Sequence, residues 1–177
     1  PQRLHDQLAA TNVTLQLQRD LSHAPLHPDT TAALNLLCTN NQQIEAITIY
    51  PDGSLQSQKQ YSAWAFAAFK HNTDGSNYIG HLTGSVMHSL QTTIDWSKLD
   101  STKVELTAII WAIIYCTQLP PHLKKEIHTD SSNAIRLLTD FHHSDDPITR
   151  IAQTLYQQTH NKHCISQSPT WCHLWLM

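Results

Sequence analysis

Ile47-Thr48-Ile49-Tyr50-Pro51-Asp52-Gly53-Ser54 is the stretch on which the reading of this chain turns. The residues from Ile44 to Tyr50 favour a strand, because β-branched and aromatic side chains pack well on a pleated surface. Pro51-Asp52-Gly53-Ser54 is a strong turn signal, so a hairpin is expected directly after Tyr50. Asp52 alone is weak evidence of function, since aspartate before glycine is common in turns for local hydrogen-bonding reasons.

Tyr61 to Phe69, dense in aromatic and small residues, reads as a second strand. Tyr78 to Leu90, punctuated by Gly80 and Gly84, reads as a third, and three strands in succession predict an antiparallel meander. The period then changes. Val104, Ala108, Trp111, Ala112 and Tyr115 recur at helical spacing until Pro120-Pro121 stops the run. Lys125 to Thr129 forms a short strand ending at Asp130, and Ala134, Ile135, Leu137 and Leu138 make the apolar side of a second helix. Pro147 to Thr159 gives a third, with Ile148, Ile151, Ala152 and Leu155 on one face and proline favoured in its first turn. His163 to Ser166 starts a last strand. The predicted order is βββαβα(α)β, an α/β mixed sheet with flanking helices spanning residues 44–166.

Residues 1–43 read as an N-terminal arm or linker with room for short helices. Leu8, Val13, Leu15 and Leu17 stand among many Gln and Asn, two prolines fall between Ser22 and Pro28, and Pro28-Asp29-Thr30-Thr31 opens a helix through Leu37. Residues 167–177 form an atypical tail. No internal repeat or low-complexity tract interrupts the chain.

At 177 residues the chain accommodates one domain with a sizeable core plus an arm. Hydrophobic residues at 40% against charged residues at 14% exclude a disordered polyelectrolyte. No apolar run approaches the roughly 20 residues that cross a bilayer, and the start lacks the apolar core of a signal peptide, so no membrane partner and an intracellular site are expected. Eleven basic against fourteen acidic residues give a net charge of -3, without the electrostatic footprint of a general nucleic-acid binder. Any nucleic-acid affinity must therefore be local and metal-assisted. Cys38, Cys116, Cys164 and Cys172 are too scattered for a disulfide framework and are expected reduced. The first residue is proline, which suggests a larger parent polypeptide.

Three carboxylates stand where side chains can converge: Asp52 closing the first strand, Glu105 opening the first helix, and Asp130 closing the fourth strand. Each has an ordinary explanation. Asp52 fits a turn, Glu105 completes a capping box with Thr102, and Asp130 suits the cap of the helix beginning at Ser131.

Their order is less ordinary. Asp52-Gly53-Ser54 after a first strand, Ser62-Ala63-Trp64-Ala65 in the second, Val104-Glu105-Leu106-Thr107-Ala108 opening a helix, and Ile127-His128-Thr129-Asp130-Ser131 ending a strand form one joint pattern. From Ile44 to Thr159 the chain resembles ribonuclease H, in particular the type associated with retrotransposon reverse transcriptases. The resemblance implies a ribonuclease H-like mixed sheet of five strands and Mg²⁺-dependent endonucleolytic hydrolysis of the RNA strand of an RNA-DNA hybrid. It implies two ions, with Mn²⁺ an alternative, held by Asp52, Glu105 and Asp130. Chemistry supports that donor set, since hard cations prefer carboxylate oxygen and two ions ~3.5–4 Å apart clamp a scissile phosphate. By position, Gly53, Ser54, Thr102 and Ser131 are the candidates for substrate contact through 2′-hydroxyls and backbone shape; the ordinary role of each is a turn or a cap.

The resemblance breaks at the C-terminus. A Trp-Val/Ile-Pro-x-His segment and a helix carrying a fourth carboxylate are absent from His163-Cys164-Ile165-Ser166-Gln167-Ser168-Pro169-Thr170-Trp171-Cys172-His173-Leu174-Trp175-Leu176-Met177, and Asp145 and Asp146 fall too early to replace that carboxylate. The alternative to a working nuclease is a catalytically impaired hybrid-binding module, a mobile-element remnant. A zinc site from His160, His163, Cys164, Cys172 and His173 is a further alternative, weakened by the lack of Cys-x-x-Cys spacing.

Overall fold

The computed structural model describes residues 44–56, 61–86, 99–140, 144–159 and 164–167. The elements follow in the order β1 (Ala46–Gln56), β2 (Tyr61–Asn72), β3 (Gly75–Ser85), α1 (Ser101–Gln118), β4 (Lys124–Thr129), α2 (Ser132–Thr139), α3 (Pro147–Thr159) and β5 (Cys164–Gln167). The five strands form one mixed sheet in the order β3-β2-β1-β4-β5. β1, β2 and β3 make the expected antiparallel meander. β4 joins the other side of β1 in parallel, and β5 joins β4 in parallel. The fold is the expected α/β mixed sheet with flanking helices. The segments 1–43 and 168–177 lie outside the described residues, as do His160, His163, Cys172 and His173 of the five residues proposed for zinc.

One local expectation is corrected. Pro51-Asp52-Gly53-Ser54 is not a turn: β1 continues through it to Gln56, with Asp52 opposite Ala65 and Gly53 opposite Trp64 on β2. The parallel pairing of β1 with β4 ends at Ile49 and Ile127. Beyond that point β1 pairs on one side only, where a proline without an amide hydrogen is tolerated. Continuous pairing with β2 then outweighs local turn preference. The third strand runs from Gly75 to Ser85, and residues 87–90 of the expected strand lie outside the described residues.

α1 is buried from Leu106 through Cys116 on every side, the mark of a helix enclosed within a core rather than lying on a surface. Ile47, Ile49, Trp64 and Phe66 of the sheet and Ile148, Ile151, Ala152 and Leu155 of α3 belong to the same buried cluster. Trp64 stacks on Trp111, with ring centroids 4.8 Å apart and planes 10° from parallel. Gly84 lies across from Trp64, and a Cβ there would fall 2.6 Å from the indole ring. At the far end of α1 the buried Lys125 donates from Nζ to the Leu119 carbonyl at 3.3 Å, placing a cation where the helix dipole is negative.

Trp111→Ala is expected to cost about 3–5 kcal/mol, the range for truncating a large buried aromatic. Urea unfolding measures it; a loss below about 1 kcal/mol would show that the core is not organised around the tryptophan stack.

Candidate functional site

Strand register brings two of the three carboxylates side by side. Ile49 and Ile127 are the last partners of the parallel β1–β4 ladder, and Asp52 and Asp130 each follow three residues later. Both are exposed, at the end of the sheet where β1 and β4 part.

Glu105 reaches the same place from α1. Gly53 packs so tightly on the first turns of that helix that a Cβ would lie 2.7 Å from the Glu105 nitrogen and from the Val104 carbonyl carbon. Any side chain here would push strand and helix apart. Across this contact the Gly53 amide donates to Glu105 Oε2 at 3.1 Å. Gly53 is therefore a close-approach glycine, not a turn glycine.

Two capping expectations are overturned together. Asp100, not Thr102, caps α1, its side chain accepting from the Lys103 amide at 2.9 Å. Glu105 is thereby not part of a capping box, and its carboxylate is directed to the sheet instead. Ser131, not Asp130, caps α2 by accepting from the Ala134 amide at 3.2 Å. The carboxylates at 105 and 130 are thus not required by the helix ends beside them.

Charge crowding marks the three as one cluster. Burial pushes the Glu105 carboxyl up to about 8, with Asp52 and then Asp130 adding repulsion and the Gly53 amide opposing them. The Asp52 carboxyl is also raised, by partial desolvation first and by Asp130 second, again opposed by the Gly53 amide. Three oxygen donors that repel one another are a donor set suited to a hard divalent cation, which relieves the repulsion that protonation otherwise relieves. As they stand, no three His, Cys, Asp or Glu side chains among the described residues are gathered into a metal cage. Asp52 and Asp130 are exposed, whereas Glu105 is half-buried.

Among the other candidates, Ser54 is exposed on β1 beyond Asp52, and Thr102 is half-buried in the first turn of α1. Ser131 spends its hydroxyl oxygen on the α2 cap and keeps an O–H to donate. His128 is half-buried and well partnered. It stacks on Tyr50 with centroids 5.6 Å apart, and its ring nitrogens lie 2.9 Å from Ser166 Oγ and 3.3 Å from Glu126 Oε2. Tyr50 and His128 sit two residues before Asp52 and Asp130, and their stacking joins β1 to β4 just short of the carboxylates. Sequence reading also missed the ion pair between Lys103 and Asp146, at 3.2 Å. No local signal links residues so far apart.

No protein-family profile matches the sequence, and no curated protein matches it. Solved structures do match. The foamy viral protease-reverse transcriptase in complex with an RNA/DNA hybrid aligns over 76% of this chain with a TM-score of 0.52 at 11% identity; this chain covers 20% of that one. Ribonuclease H1 from the halophilic archaeon Halobacterium salinarum NRC-1 aligns over 70% of this chain and 86% of its own, with a TM-score of 0.48 at 16% identity. The N-terminal ribonuclease H domain of a Mycobacterium tuberculosis protein aligns over 72% and 84%, with a TM-score of 0.48 at 13% identity. The element order, sheet order and likeness to the viral chain define a ribonuclease H-like fold.

Without divalent cations, the raised Glu105 carboxyl has a definite consequence. The fold retains on Glu105 a proton that the unfolded chain releases near its ordinary value of 4.5. Stability therefore falls as pH rises from about 4.5 to about 8 and levels off above. Denaturant midpoints measured in a chelator across that window should drop for the wild type more than for Glu105→Gln; equal slopes would refute the burial of this carboxyl. Gly53→Ala should lower stability by at least about 1–3 kcal/mol, the usual cost of overpacking, as read by urea unfolding.

Proposed function

We propose that this domain hydrolyses the RNA strand of RNA-DNA hybrids with divalent cations held by Asp52, Glu105 and Asp130. The observation that carries the reading is the junction at Gly53, which seats the Glu105 carboxylate on the strand bearing Asp52, with Asp130 at the equal offset just past the end of β4. Support also comes from the viral protein of like fold, whose structure holds an RNA/DNA hybrid.

Bound Mg²⁺ or Mn²⁺ would supply Lewis-acid activation of the scissile phosphate and a nucleophilic water at neutral pH. The chain's own contribution is positional. Asp52 on β1 and Asp130 just after β4 supply carboxylates on the exposed end of the sheet. Glu105 supplies the third from a helix locked to the sheet, with the Gly53 amide fixing one oxygen so that the other is directed. Ser54, the Thr102 hydroxyl and the remaining Ser131 O–H lie nearby, suited to ribose hydroxyls and phosphate oxygens in a reading of hybrid shape rather than base sequence. A net charge of -3 places affinity in this local, cation-dependent contact. The reading extends to a domain working beside a reverse transcriptase, as in the viral chain.

The test is cleavage of a labelled hybrid by the full chain with Mg²⁺ and with Mn²⁺. Asp52→Asn should retain the fold and lose at least about 10²-fold in rate, more than the 10–100-fold typical of losing a group that only supports a metal ligand. A mutant as active as the wild type would refute the assignment. A folded wild type that binds hybrid without cutting it would identify a binding module instead.

A further inference from the structure

Glu105 is held from the sheet side by Gly53, but a helix first turn fixed at one point can still pivot. A second anchor lies on its other flank. Lys103, two residues before Glu105, forms an ion pair with Asp146 Oδ1 at 3.2 Å, with side-chain exposures of only 17% and 26%. The other oxygen of Asp146 accepts from the Thr149 amide at 2.9 Å and the Thr149 hydroxyl at 2.8 Å, so Asp146 is fixed to the first turn of α3. Lys103 is itself fixed. Its amide donates to Asp100 Oδ1 at 2.9 Å, and its carbonyl accepts from Thr107 Oγ1 at 2.9 Å.

From these contacts we infer that Lys103 and Asp146 are positioning residues for Glu105, tying the opening turns of α1 and α3 together so that the carboxylate holds its place beside Asp52 and Asp130. The inference rests on reading those three carboxylates as the cation-binding set. A continuous path runs from Thr149 through Asp146 and Lys103 into α1, and from Glu105 through Gly53 into β1. A misplacement of about 1 Å costs on the order of 10²-fold in a reaction that depends on alignment, so a tether that suppresses smaller pivoting should matter to cation affinity and turnover more than to hybrid affinity.

The test uses the full chain as wild type, Lys103→Met, Asp146→Asn and the double variant. Lys103→Met leaves the Asp146 cap of α3 intact, and asparagine retains an acceptor for Thr149, so both should fold, as circular dichroism checks. Calorimetric titration with Mn²⁺ alone should show each single variant binding about three- to tenfold more weakly, and the double variant no more weakly than the worse single, since coupled residues are not additive. Hybrid cleavage should show kcat lowered by a similar factor with KM within about twofold, whereas Lys103→Arg, which keeps the cation, should restore wild-type Mn²⁺ affinity. Folded single variants that bind Mn²⁺ like the wild type, or effects that add in the double variant, would overturn the positioning role. A wild type that binds Mn²⁺ and loses affinity in the variants but never cleaves hybrid would support the positioning role and remove only the nuclease reading. A wild type that binds no Mn²⁺ overturns both.

Discussion

The contact between Gly53 and the backbone of Val104 and Glu105 is the constraint on which the site depends. Strand and helix meet there more closely than any Cβ permits. The approach lets a main-chain amide of β1 reach a side-chain oxygen of α1. It turns two elements distant in sequence into a single support for opposed carboxylates. The energetic cost of crowding those charges is borne by the buried cluster around α1, where Trp64, Trp111, Ile109, Ile113 and Ile127 are almost wholly removed from water.

Cluster and core pull in opposite directions. The apolar packing brings α1 down onto the sheet, and the descent desolvates Glu105 and sets it against Asp52 and Asp130. A fold selected for stability alone would place a neutral side chain at position 105. Glu105 instead carries a carboxyl whose burial and acidic neighbours favour its protonated form, and perturbed groups of that kind concentrate at functional sites. Lys125, the buried lysine, is engaged at the opposite end of α1 with the Leu119 carbonyl, and Lys103 is engaged with Asp146.

Much of the architecture was legible in the sequence because it rests on local periodicity. The alternation of Ile47 and Ile49, the helical recurrence from Val104 to Tyr115 and the bounds of Pro147–Thr159 express which residues must leave water, and each matches its element. The same local logic misled at Pro51-Asp52-Gly53-Ser54. A turn signal counts only the residues within it, while pairing with Ala65 and Trp64 across the sheet supplies the hydrogen bonds that keep the chain extended.

By itself, then, the sequence determined the order of strands and helices and the apolar faces that build the core, while its resemblance to ribonuclease H singled out Asp52, Glu105 and Asp130 as the candidate set. Periodicity and chemical type are properties of the chain alone. Tertiary structure decided what these residues do at close range: that Asp100 and Ser131 cap the helices and leave Glu105 and Asp130 uncommitted to them, that Gly53 joins strand to helix, and that Asp146 reaches Lys103. Those outcomes depend on distances between segments far apart in the chain, which only the packing of α1 between the sheet and α3 fixes.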